Sequence, residues 1–343
     1  MMKYIFRLFI VEFFVFALLF SENCQAQTSA AWRIVIDCEG NQVKIPLEVK
    51  RVCANGALAQ MVLMLGAGDH MVATGRFVAT NPMVLKIFPE IKNVPVIYGA
   101  PGGKSEIQLE TLVRANPDVL FGRRDQVLSL GIPCPAVSLL NFEDIKYTVR
   151  MIGDVLGGGY QAKSIAFCEY YDAMIEKIRS RTADISKNER PRVYYAGGEE
   201  GLNTEGRNTI SYSWITAGGG INVAAEHGVE GSRKVTIESI IKWNPDIIIS
   251  NSYNGKQTVA NSEQWKDIRA VVDGRVYQAP RGVYLWSVRS GEGALQVPWA
   301  AKHIHPELFT DLNIQDEVRQ FYARFYGYDI TEGEIEEILH PAN

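Results

Sequence analysis

A twelve-residue segment occurs twice in this chain, and no other feature limits the fold as strongly. Leu109-Glu110-Thr111-Leu112-Val113-Arg114-Ala115-Asn116-Pro117-Asp118-Val119-Leu120 returns as Ile237-Glu238-Ser239-Ile240-Ile241-Lys242-Trp243-Asn244-Pro245-Asp246-Ile247-Ile248. Glu, Asn, Pro and Asp are identical in the two copies, and most other positions exchange similar side chains. Each copy reads as a short helix, a break and an apolar run. Proline removes a backbone donor and pushes its predecessor away from helical geometry, so the helix stops at Asn-Pro-Asp. The run beyond has the continuous apolar character of a strand buried on both faces. A helix feeding a buried strand, written once in each half, predicts two similar α/β lobes.

The rest of the chain agrees. Residues 33–37 and 42–46, joined at Glu39-Gly40-Asn41, predict a β-hairpin. Strands are expected at 51–54, 71–74, 94–98, 118–121 and 134–139, with helical stretches between them. Alternation of this kind argues for a parallel sheet covered by helices. Gly157-Gly158-Gly159 then introduces residues 160–182, which hold no Gly or Pro and place apolar residues near helical spacing. Such a helix would exceed about 30 Å, the width of a small domain. Alternation resumes with strands at 192–195, 247–249 and 275–277, and helices at 212–217, 292–303, 315–325 and 331–339. The expected boundaries are a removable leader at 1–26, a first lobe at 32–156, a linking helix at 157–184 and a second lobe at 190–343.

The leader rests on Lys3 and Arg7, an apolar run from Leu8 to Phe20 broken only by Glu12, and a polar stretch to Gln27. That order is the pattern of a secretory signal cut after Ala26, and the run is short of the ~20 residues that span a bilayer. Cys24 as a lipid attachment point is disfavoured, because Glu22 and Asn23 stand where small residues are usual. The mature chain is expected to be exported and soluble. Its composition, 47% apolar and 22% charged, supplies ample core, and a net charge of −4 lacks the basic footprint of a nucleic-acid binder. Cys38, Cys53, Cys134 and Cys168 show no metal-ligand spacing, and the five histidines do not cluster. Whether any two of these cysteines form a disulfide is left open. Gly66-Ala67-Gly68 lacks the lysine of a P-loop, and no Gly-x-Ser-x-Gly elbow occurs. These absences point to binding rather than catalysis.

Several segments together resemble the iron–siderophore and cobalamin class of periplasmic binding proteins. They are the opening hairpin, the Arg51 strand leading to Met64-Leu65-Gly66, and the two Glu…Asn-Pro-Asp repeats. The segments Ala217-Gly218-Gly219-Gly220-Ile221-Asn222-Val223-Ala224, Leu285-Trp286-Ser287 and His305-Pro306-Glu307-Leu308-Phe309 also fit. The resemblance spans nearly the whole mature chain. It implies two Rossmann-like lobes bridged by one long α-helix, with a ligand cleft between the lobes. It implies a monomeric periplasmic protein, without cofactor or catalytic activity, that hands its ligand to an ABC permease served by a separate ATPase. The expected ligand is a ferric siderophore, its Fe3+ already chelated. Alternatives of the same class are cobalamin, haem or a molybdate-type oxyanion. A chelatase-like or nitrogenase-like enzyme on this architecture would require cluster cysteines or a catalytic histidine set. A sensory module outside transport would lack a permease partner.

The resemblance also implies that Glu110 and Glu238, one per lobe, pair with permease arginines. Both also sit in a first helical turn, where a carboxylate complements the helix dipole. Gln60 stands where relatives often carry Glu, on a helix facing away from ligand. Ligand contacts are expected beyond the carboxyl ends of the strands. The foremost are Trp286, as a solvent-facing aromatic, and Arg289, whose guanidinium forks onto oxygens. Tyr284 lies in the same loop, Arg76 and Tyr253 follow other strands, and Tyr98 and Tyr195 end theirs.

Overall fold

A computed structural model describes residues 31–99 and 107–342. The expected leader lies outside these residues, as does most of the Gly-rich stretch after Tyr98. The description opens with a hairpin, β1 (Trp32–Ile36) and β2 (Gln42–Pro46), paired antiparallel. Strands β3 (Val52–Ala54), β4 (Met71–Gly75), β5 (Val96–Tyr98) and β6 (Val119–Phe121) form a parallel sheet in the order β5-β4-β3-β6. Its principal helices are α1 (Gly56–Met64), α2 (Leu109–Ala115) and α3 (Phe142–Leu156). Next comes α4 (Gly159–Thr182), whose 24 residues extend about 36 Å. Gly157 and Gly158 both hold positive φ, 75° and 53°, in the turn between α3 and α4, which explains the glycine run there.

The second parallel sheet has the order β12-β11-β7-β9. It contains β7 (Arg192–Ala196), β9 (Ile221–Asn222), β11 (Ile247–Ser250) and β12 (Val276–Gln278). An antiparallel ribbon of β8 (Asn203–Glu205) and β10 (Ser232–Lys234) accompanies it, unforeseen from the sequence because neither strand is apolar. Its principal helices are α5 (Ile210–Ala217), α6 (Ile237–Trp243), α7 (Tyr253–Asn261), α8 (Gly293–Ile304), α9 (Ile314–Phe321) and α10 (Glu332–Leu339). Helix α4 packs on α3 from the first half and on α8 and α5 from the second. Buried residues of both halves and of α4 form one continuous apolar cluster, so the halves share a core. Among the described residues no helix is long and apolar enough to cross a membrane.

The two repeats fold alike. Asn116 ends α2 and Asn244 ends α6 in left-handed backbone, φ 43° and 45°. Asn accepts that region because its short polar side chain reaches nearby backbone. The aspartates then lock each strand to its neighbour. Asp118 Oδ2 accepts the Arg51 amide at 2.9 Å, and Asp246 Oδ2 accepts the Arg192 amide at 2.8 Å. Arg51 donates in turn to the carbonyls of Asn116 and Ala115, and Arg192 to those of Trp243 and Asn244. The structural repeat therefore includes an arginine opening β3 and another opening β7.

Two expectations fail for local reasons. Residues 134–139 form no strand, because Pro133 and Pro135 remove alternate amides and leave Pro133 O as acceptor for Leu120 N at 2.9 Å. The helix expected at 315–325 becomes α9 followed by a π turn, Tyr322–Tyr326. The four cysteines among the described residues, Cys38, Cys53, Cys134 and Cys168, are free thiols, three of them buried. Burial raises the Cys134 and Cys168 thiols to about 11, so they serve as core packing.

Candidate functional site

In both sheets the carboxyl ends of the strands lead into the loops on which ligand contacts were expected. The decisive loop follows β12. It closes on itself through the Arg281–Leu285 bridge and a 3.2 Å bond from Trp286 N to Pro280 O. It then reaches the first half of the chain. Asn81 Nδ2 donates to Gly282 O at 3.1 Å and Val283 O at 3.2 Å, while its Oδ1 caps the short helix Pro82–Ile87. The Tyr284 ring meets Phe77 edge-on at 4.9 Å, and Arg281 lies over the same Phe77 ring at 5.0 Å. Gly56 holds φ +56°, and the Tyr284 hydroxyl lies 3.0 Å from where its Cβ would sit, so a larger residue there would be strained and crowded. Gln60, fully buried on α1, accepts the Gly291 amide at 2.8 Å and donates to the Tyr326 hydroxyl at 2.6 Å.

Glu292 anchors this brace from below. Its carboxylate is fully buried and accepts from Val283 N, Tyr284 N, Tyr322 Oη and Tyr326 Oη, at 3.2, 2.9, 2.7 and 3.2 Å. Burial nonetheless raises its pKa to about 7, outweighing these donors.

Trp286 requires correction. It is 0% exposed, packed in the shared core with its indole N–H unpartnered, and offers no solvent-facing aromatic surface. Tyr195 is also buried, at the end of β7. Its hydroxyl is pushed up first by burial and then by Glu205, with Ser287, Asn251 and Arg289 acting the other way. Arg289 remains 42% exposed and donates to Glu205 Oε1 at 3.2 Å. Glu205 Oε1 also accepts from Ser232, while Oε2 is buried without a partner. The structure thus brings Tyr195 and Arg289 together around Glu205. No sequence signal marked Glu205, because its role depends on the unforeseen β8–β10 ribbon.

On the other sheet Arg76 is exposed and donates from Nε to Gly99 O at 3.1 Å, beside Tyr98. Tyr98 is buried, and burial followed by the neighbouring Cys53 raises its phenol. Tyr253 opens α7, 37% exposed, and lines a separate cavity that shares no residue with the group around Glu205. Glu110 and Glu238 both lie exposed in the first turns of α2 and α6. The Glu238 carboxyl is held below its ordinary range by its own backbone amide and then by Thr236. Among the described residues no three His, Cys, Asp or Glu side chains come together in a metal-holding group.

Comparison with known proteins places this geometry. The family model described as "Periplasmic binding protein" matches residues 52–282. The molybdate-binding protein MolA of Haemophilus influenzae is 25% identical, over 87% of this chain and 92% of its own. Its molybdate-bound structure superposes with a TM-score of 0.77 at 23% identity, covering 87% of this chain and 99% of that one. A periplasmic solute-binding protein from Veillonella parvula gives a TM-score of 0.76 at 25% identity, covering 90% and 97%. YvrC of Bacillus subtilis, an ABC transporter substrate-binding lipoprotein, is 24% identical over 83% of this chain and 90% of its own. These relatives are two-lobed binding proteins rather than enzymes. The chain belongs to the periplasmic binding protein family and is the substrate-binding component of an ABC transporter.

Proposed function

We propose that the cleft captures a compact, oxygen-rich metal anion of the molybdate type in the periplasm, in place of the ferric siderophore expected from sequence. The observation that carries this reading is the burial of Trp286 while Arg289 stays half exposed. A bulky chelate needs an aromatic face to cover it, and Trp286 and Tyr195 offer none. A compact oxyanion needs fixed donors. Arginine carries five N–H groups, and Glu205 engages Arg289 through one contact, which orients the guanidinium and leaves other donors free. Arg76 supplies a second exposed guanidinium on the opposite lobe. The similarity to MolA supports the same ligand class.

The loaded protein, acting as a monomer, docks on its permease through Glu110 and Glu238. Titration calorimetry on the mature protein tests the ligand. Sodium molybdate should bind, and Arg289→Ala should weaken it about tenfold or more, the value of a charge-assisted hydrogen bond. Tight binding of a ferric trihydroxamate, with none of molybdate, would overturn the oxyanion reading and restore the siderophore.

A further inference from the structure

We propose that a second small-molecule site lies along the free edge of β12 and takes an aromatic carboxylate. β12 is the outermost strand of its sheet. Beside it lies a cavity of about 510 Å³, bounded by α7, α8, the start of α9 and residues 339–342. That size lies within the usual ~300–1,000 Å³ range of small-molecule pockets. None of its lining residues belongs to the group around Arg289 and Glu205, so this inference does not depend on the ligand of the cleft.

The lining combines rings with positive charge and contains no Asp or Glu. Tyr277 meets the His303 ring edge-on at 4.5 Å, and Trp299 lies tilted against the same ring at 4.1 Å. Tyr253 adds a fourth ring. Rings lining a cavity can meet an aromatic guest by edge or offset contact. His303 Nδ1 lies 2.8 Å from Trp299 O. A carbonyl only accepts, so Nδ1 carries the hydrogen and Nε2 is left as an acceptor. Burial lowers the His303 pKa and keeps that ring neutral.

Of the other basic groups, His340 faces Glu336 at 3.3 Å and the Lys302 ammonium is tethered by one bond to Leu312 O. Lys256 is half-buried on α7, and its ammonium has no hydrogen bond or ion pair among the described residues. It is the lining cation with no tether, and it receives the carboxylate. A ring carrying a carboxylate and a hydroxyl matches the set: Lys256 for the anion, the rings for the face, and His303 Nε2 for the hydroxyl proton.

The probe is 4-hydroxybenzoate, with 4-hydroxybenzyl alcohol as the uncharged control, titrated calorimetrically into the mature protein. The acid should bind better than the alcohol. Lys256→Ala should weaken the acid about tenfold and remove its preference over the alcohol, whereas Lys256→Arg should retain both. Arg289→Ala should leave acid binding unchanged. The site is refuted by an absence of acid binding at millimolar concentration or by unchanged affinity in Lys256→Ala. Loss of binding in Arg289→Ala also refutes it, since that outcome would put the probe in the cleft.

Discussion

Trp286 and Arg289 stand three residues apart in one loop, yet burial gives them different tasks. Sequence treats both as ligand contacts, because both follow a strand. In the structure Trp286 is 0% exposed and Arg289 is 42% exposed. Trp286→Ala should cost about 3–5 kcal/mol of stability, the usual range for emptying an aromatic core position. Arg289→Ala should leave stability close to wild type while weakening ligand. Urea unfolding of both variants separates the two roles. Equal, small stability losses would return Trp286 to the cleft.

At the scale of the element, the repeat does its work through equivalent helix ends. Asn116 and Asn244 take the same left-handed turn, and the first turns of α2 and α6 present Glu110 and Glu238 at the same place in each half. Each glutamate is flanked by exposed apolar side chains, Leu109 and Val113 on α2 and Ile241 on α6. A folding role alone would not require two matched exposed patches, whereas a two-point contact with a permease would use both. Glu110→Ala and Glu238→Ala should bind ligand normally and deliver it poorly, with the double variant worst. Uptake into vesicles carrying the cognate permease measures this. Full uptake by the double variant would return both residues to the role of first-turn carboxylates.

Across the whole molecule, the brace between the halves runs through a titratable group. Glu292 sits beneath the loop that Asn81, Phe77 and Gln60 hold from the other side. Its pKa is raised from an ordinary 4.5 to about 7 by burial. Below the lower value, folded and unfolded chains both carry the proton. Between the two values the unfolded chain alone releases it, so stability falls as pH rises and levels off above about 7. The loss is about 3 kcal/mol, from a shift of roughly two to three units. Between pH 5 and pH 8 the wild type should lose about 2–3 kcal/mol more unfolding free energy than Glu292→Gln. Equal losses would mean that the carboxylate is already ionised when folded.

Sequence by itself determined the local instructions. Asn-Pro-Asp ends a helix because proline forbids its continuation, and the apolar run after it must be buried. Written in both halves, those instructions yield two parallel sheets, and a Gly- and Pro-free stretch between them yields α4. The same local reasoning failed where prolines at 133 and 135 prevent a ladder. Only the tertiary structure decided which strand-end residues meet. Tyr195, Glu205 and Arg289 come from different segments, and their proximity depends on the β8–β10 ribbon, which no apolar pattern announces. Tyr253 follows β11 and Tyr195 lies near the end of β7, yet Tyr253 turns toward the edge of β12. Gln60, Asn81 and Glu292 are ordinary polar residues until folding buries them between the halves, where a polar group must find partners. Periodicity specifies which face of an element is buried; it carries no information about the distant segment that buries it.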